Sequence, residues 1–300
     1  MKIRNPQSAI RNPQPPVALT IAGLDPSGGA GIVADIKTFT AFGCFATAAV
    51  TSLTFQNTMG VFGAIHQTAE SVRSQVLPIA NDFHIASVKT GMLPTREIIE
   101  EVAKLVKKKK IPSPVVDPVV RSTSGYDLID DEALRSLIKK LFPLSLIVTP
   151  NILEAERITG IEIKNLEDMK RAATLIRKLG AKAVLVKGGH LEENVSTACG
   201  SGRVSGKVQN SKQSAIDVLD DNGSVLILKA ERIDTTSTHG TGCTLSAAIA
   251  ACLGRGMSLQ DSVITAKKFI TKAIRTAPQI GHGSGPINHN VKVLSSIMFF

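Results

Sequence analysis

The chain reads as an α/β protein, with an open, mostly parallel sheet covered by helices on both faces. Three observations predict this. Short apolar runs alternate with longer amphipathic ones along most of the sequence. The short runs are continuously apolar rather than alternating, as in strands buried on both sides. The connections between them are brief, which favours βαβ units over separate sheets and bundles. No linker-like shift in composition splits the body, so one domain is expected over residues 17–290, with tails at 1–16 and 291–300. That exceeds the common ~100–200 residues but is ordinary for an α/β unit.

Strands are expected at residues 17–22, 44–53, 85–89, 115–120, 146–149 and 183–187. Helices are expected at 30–41, 70–81, 95–109, 131–141 and 166–179. In the last of these Met169, Ala172, Ala173, Ile176 and Leu179 recur at helical spacing, and Gly180 supplies the stop. The helix over 95–109 carries Glu97, Glu100 and Glu101 early and the lysines from Lys107 to Lys110 late. That polarity suits the helix dipole, so the lysines read as a solvated helix end before they read as a phosphate patch. Residues 215–219 and 225–228 flank Asp220-Asp221-Asn222-Gly223, a hairpin turn by its Asn-Gly. An Ala-rich helix follows Thr241 to about Leu253, and another runs over 259–276 until Pro278 stops it.

The formal charge of +10, from 35 basic and 25 acidic residues in 300, invites a polyanionic partner. Its location argues otherwise. Residues 1–16 hold Lys2, Arg4 and Arg11, and the polar stretch 194–214 holds Arg203, Lys207 and Lys212, neither with any acid. Both read as loop-like segments. One Tyr and no Trp leave few rings to stack on bases, and no run approaches the ~18 apolar residues of a membrane span. Neither nucleic acid nor membrane is therefore expected as a partner. Cys44, Cys199, Cys243 and Cys252 form no CxxC pair, and six scattered histidines form no HExxH. A reduced, cytoplasmic setting without structural zinc follows. Ile3-Arg4-Asn5-Pro6-Gln7 recurs as Ile10-Arg11-Asn12-Pro13-Gln14, which is too short for a repeat fold, and translation is expected to begin near Val17.

In open parallel sheets, ligands bind beyond the C-terminal strand ends. Four glycines lie in the nine residues from Gly23 to Gly31, after the first strand. The loop lacks the Lys and Ser/Thr of a Walker motif, and no acid stands ~20 residues beyond its GxGxxA match, so both common nucleotide motifs fail. Asp25 either braces this turn or faces a ligand, and Asp35 lies one helical turn past Gly31. Asn151 and Glu154 are spaced as a capping box, or as a carboxamide and carboxylate for hydrated Mg²⁺ near phosphates. Lys187 ends a buried strand before Gly188-Gly189, a better seat for a phosphate ligand than an exposed lysine has. The sharpest local signal is Thr238-His239-Gly240-Thr241-Gly242-Cys243-Thr244 at the start of the Ala-rich helix. Glycines there leave N–H groups free for an anion, and the first-turn position is expected to lower the Cys243 thiol toward thiolate.

Together these motifs resemble the ribokinase-like superfamily, and within it the hydroxymethylpyrimidine/phosphomethylpyrimidine kinases of thiamine biosynthesis. The resemblance rests on AGLDPSGGAGIVADIKTF from Ala22, TFQNT at 54–58, KTGML at 89–93, VVDPVV at 115–120 and TPNILEA at 149–155. It continues through VKGGH at 186–190, THGTGCTLSAA at 238–248 and GHGSGP at 281–286. It implies a three-layer α/β/α ribokinase-like fold and ATP-dependent phosphorylation of a hydroxymethylpyrimidine, then of its monophosphate. By the same resemblance Cys243 would be the base and Gly240, Thr241 and Gly242 the anion hole. Gly23, Asp35, Gln56 and Met92 would line the substrate pocket. Lys187, Asn151 and Glu154 would serve ATP, the last two also holding Mg²⁺ through water. Gln56 can offer a donor and an acceptor to an aminopyrimidine edge at once. A pyridoxal or pyridoxine kinase of the same branch is the competing enzyme, and a non-catalytic vitamin-binding regulator the competing non-enzyme. Whether the chain forms a homo-oligomer is left open.

Overall fold

The computed structural model describes residues 14–120, 128–189 and 214–293. The N-terminal repeat except Gln14 and all of the polar stretch 194–214 except Ser214 lie outside them, as do His190 and Cys199. The chain runs β1 (Val17–Leu24), α1 (Gly31–Ala41), β2 (Phe45–Asn57), β3 (Gly60–His66), α2 (Ala69–Asp82), β4 (Ile85–Thr90) and α3 (Arg96–Lys107). There follow β5 (Val115–Val116), α4 (Asp131–Ser136), β6 (Ile147–Val148), α5 (Ile152–Thr159), α6 (Leu166–Lys178) and β7 (Ala183–Gly188). The chain then forms β8 (Ser214–Asp221), β9 (Ser224–Glu231), α7 (Thr241–Gly254) and α8 (Leu259–Arg275).

The nine strands among the described residues join one sheet in the order β3-β2-β1-β4-β5-β6-β7-β8-β9. The pairs from β2 to β7 are parallel, and β3, β8 and β9 add antiparallel edges. Consecutive strand residues point to opposite faces, and here both faces are buried. Val116, Val148, Val184 and Val186 pack on α2 to α6, whereas Val115, Ile147, Ala183 and Leu185 pack on α1, α7 and α8. Each fully enclosed Val, Leu or Ile stabilises this three-layer sandwich by ~1.5–3 kcal/mol. The apolar stripe of α3 places Ile98, Val102 and Leu105 in the core, while Thr95 caps its first turn. Lys107 to Lys110 stay exposed at its far end.

Several elements differ from the sequence expectation. The strand expected over 115–120 stops after Val116: the Asp117 N–H still bonds to Thr90 O at 2.9 Å, but Pro118 has no N–H with which to extend the ladder. The one over 146–149 is likewise two residues long, cut off by Pro150. The helix over 131–141 divides into α4, a π turn at Leu137–Leu141 and a 3-10 turn at Phe142–Leu144, where Pro143 breaks the ladder. Strand β3 was not foreseen. Its hairpin with β2 turns at Asn57–Gly60 and carries large apolar groups outward, including Phe55, Phe62 and Ile65. Among the described residues no helix is long and apolar enough to cross a membrane.

Candidate active site

Two glycine loops meet at the C-terminal ends of the central strands. The loop after β1 is organised by Asp25. Its Oδ1 accepts the Ser27 N–H at 2.8 Å and the Ser27 hydroxyl at 2.7 Å, and its Oδ2 accepts the Ala30 N–H at 2.8 Å. His239 Nε2 lies 2.8 Å from the same Oδ2, which ties the loop before α7 to the loop before α1. Burial alone would raise the Asp25 pKa, but bonds from His239, Ser27 and Gln56 outweigh it and hold the carboxyl below the usual carboxylate range. Asp25 thus braces its turn and also lines the cavity. Gly240, at φ +79°, caps α7 in the left-handed region, and a Cβ there would fall 1.8 Å from Gly29 O. Glycine is required at that approach.

Between the loops lies a half-open cavity of about 160 Å³. Gly23, Gln56 and Met92 line one part of it, and Asn151, Glu154 and Lys187 another, with Gly240, Thr241, Gly242 and Cys243 also in the wall. The sequence-selected residues therefore converge, with one exception. Asp35 is fully buried and does not reach the cavity: its carboxylate bonds to Lys89 Nζ at 2.9 and 3.0 Å and accepts the Thr20 hydroxyl at 2.6 Å. It therefore faces Lys89 rather than a ligand, and Lys89 lines the wall. Burial raises the Asp35 pKa, and Lys89 opposes that rise.

The Cys243 thiol also departs from expectation. Position in the first turn of α7 was expected to favour thiolate, but burial pushes the thiol up to about 12. Lys89 and a hydrogen bond from the Gly31 N–H counteract this, while Asp117 and Asp35 add to it. In the helix entrance the Thr241 N–H is already bonded to Thr238 O at 3.2 Å. Those of Gly240 and Gly242 have no acceptor among the described residues.

Asn151 and Glu154 do form a capping box: Asn151 Oδ1 accepts the Glu154 N–H at 2.9 Å, and Glu154 Oε2 accepts the Asn151 N–H at 2.8 Å. Burial raises the Glu154 pKa, partly offset by Lys187. Lys187 Nζ donates to Asp117 Oδ1 at 3.0 Å, and the pull of Asp117 and Glu154 overcomes burial to keep it protonated. Sequence reasoning missed Lys89, Asp117 and His239 as site residues. The signal was present for the first two, since each is a charge at the end of an otherwise apolar strand run. For His239 it was not, because its partner stands 214 residues away.

The fold is that of the ribokinase-like small-molecule kinases. Residues 25–288 match the family described as phosphomethylpyrimidine kinase. The chain is 44% identical over 271 residues to the hydroxymethylpyrimidine/phosphomethylpyrimidine kinase of Haemophilus influenzae, covering 90% of this chain and 95% of that one. The phosphomethylpyrimidine kinase structure from Clostridium difficile 630 is 40% identical with a TM-score of 0.71, covering 86% of this chain and 99% of that one. An ADP complex of Bacillus subtilis pyridoxal kinase is 35% identical with a TM-score of 0.79, covering 92% and 98%. The chain belongs to the phosphomethylpyrimidine kinase family, and it is a phosphotransferase.

Proposed function

We propose that this protein transfers the γ-phosphoryl group of ATP to the hydroxymethyl oxygen of 4-amino-5-hydroxymethyl-2-methylpyrimidine, and then phosphorylates the monophosphate at the same site. One observation carries the reading: Gln56, Cys243, Gly240, Gly242 and Lys187 line one cavity. Gln56 presents a carboxamide to the aminopyrimidine edge, and Met92 beside Gly23 supplies an apolar wall. Cys243 takes the hydroxyl proton as the oxygen attacks phosphorus. The Gly240 and Gly242 amides, at the positive end of α7, stabilise charge on the transferring oxygens, and Lys187 faces the nucleotide phosphates.

Magnesium fits the donor set. No cluster of three or more His, Cys, Asp or Glu groups occurs among the described residues, and Mg²⁺ with ATP needs only one or two carboxylates beside water and phosphate. Glu154, with Asn151 orienting it, would hold the ion through water, and the bound ion supplies charge neutralisation on the phosphates. The likeness to pyridoxal kinase sustains a second reading, in which pyridoxal is the preferred substrate. A comparison of kcat/KM for the two compounds separates them; a clear preference for pyridoxal overturns the first. Cys243→Ala is expected to lower kcat by ~10²–10⁴-fold with little change in KM, as for loss of a general base. An unchanged kcat removes Cys243 from that role.

A further inference from the structure

Lys89 and Asp35 are shut away from solvent along their whole side chains. Taking two such charges out of water costs several kcal/mol per ion, so the pair is no better for stability than an apolar replacement. Its placement suggests a different use. Lys89 sits near the C-terminal end of β4 and lines the cavity. A Cβ on Gly91 would stand 2.8 Å from its Nζ, so the missing side chain there leaves room for the ammonium. Asp35 occupies at most two of the three ammonium donors and, held by Thr20, fixes the third. Cys243 lines the same cavity from the first turn of α7.

We propose that Lys89, seated on the carboxylate of Asp35 that Thr20 holds, is the positioning cation for the proton transfer, offsetting the burial of the Cys243 thiolate in the same cavity wall. This rests on Cys243 being the base. The charged groups that bear on Cys243 are Lys89 from β4 and Lys187 from β7, against Asp35 from α1 and Asp117 after β5. Of the charges, Lys89 acts most strongly, and it favours the thiolate. The thiolate takes the hydroxyl proton and the hydroxyl oxygen bonds to the γ-phosphorus. The bridging P–O bond breaks with its electron pair on departing ADP, and the thiol proton passes to solvent. Lys89 keeps its protons throughout.

The test is alkylation of Cys243 by iodoacetamide at pH 9 in the full-length, ligand-free protein, followed by mass spectrometry of the Cys243 peptide. Lys89→Met is expected to slow the reaction about tenfold, the equivalent of one pKa unit. The double variant Lys89→Met/Asp35→Asn removes the stranded carboxylate as well; it recovers part of the rate, remains slower than wild type, and carries the test should the single variant not fold. Alkylation at or above the wild-type rate in the folded variants overturns the proposal, even where kcat falls. The measurement needs no substrate. A wild-type protein that fails to phosphorylate the pyrimidine would sink the functional reading while leaving the Lys89–Cys243 coupling to be decided by its own experiment.

Discussion

Gly29 has an ordinary backbone but no room for a side chain. A Cβ there would stand 2.4 Å from His239 Cδ2 and 3.3 Å from Pro286 Cβ. The pressure falls on the Cδ2–Nε2 edge of the ring, the edge whose Nε2 holds Asp25, so one methyl group would part the two loops that shape the cavity. Gly29→Ala is expected to destabilise the protein by ~1–3 kcal/mol, the usual cost of overpacking, and to lower kcat/KM through loss of the His239–Asp25 bond. Urea unfolding together with steady-state kinetics checks this; wild-type values for both would show that the loops are not coupled here. At the same scale, Cys243, Lys187, Gln56 and the glycines, which motif order singled out in the sequence, all line one cavity. Whether a given polar side chain faces the ligand or the core was not legible. Asp35 and Asp25 both follow the first strand, yet only Asp25 lines the cavity.

Helix α7 connects the site to the rest of the molecule. Its alanines at 247, 248, 250 and 251 are fully buried against the sheet and the neighbouring helices, and small side chains let it lie close to them. The segment after α8 returns to this helix, where His289 Nε2 lies 3.0 Å from the hydroxyl of Thr244 in the second turn. Burial lowers the His289 pKa to about 4, with Lys37 adding to the effect. The unfolded chain therefore takes up a proton near pH 6.5 that the folded protein refuses until about pH 4. Stability is fully present above pH 6.5 and is lost as pH falls through that window, by up to ~3 kcal/mol. Denaturant titrations at pH 7 and pH 4.5 should show His289→Gln losing less stability than wild type; equal losses would remove His289 as a source of acid sensitivity. Element boundaries were legible where caps and apolar stripes coincide, as in α3 and α6. They were not where prolines and pairing partners decide, as in β5, β6 and the β3 hairpin.

For the whole molecule, the site consists of groups from β1, α1, β2, β4, α5, β7 and α7, together with loops between elements, that meet only in the folded sheet. A ligand that binds this folded arrangement must stabilise all of it. Mg²⁺ and ATP at about 100 times Kd are expected to add ~2.7 kcal/mol, read as a raised Tm, with a smaller gain for Lys187→Ala; no shift in the wild type would deny the cavity its nucleotide. The sequence by itself determined the layered α/β architecture, because strands buried on both faces and helices with one apolar face leave few other ways to bury their surfaces. It also determined the family, through motifs whose glycines and prolines set local backbone shape. It placed more than half of the +10 charge in residues 1–16 and 194–214, two segments with no acid, so the net charge was a poor guide to the ligand. What only the tertiary structure decided was electrostatic: the thiol of Cys243 is raised rather than lowered, and Asp35 serves Lys89. Both depend on desolvation and on charges brought together from distant parts of the chain, and neither quantity is local in sequence.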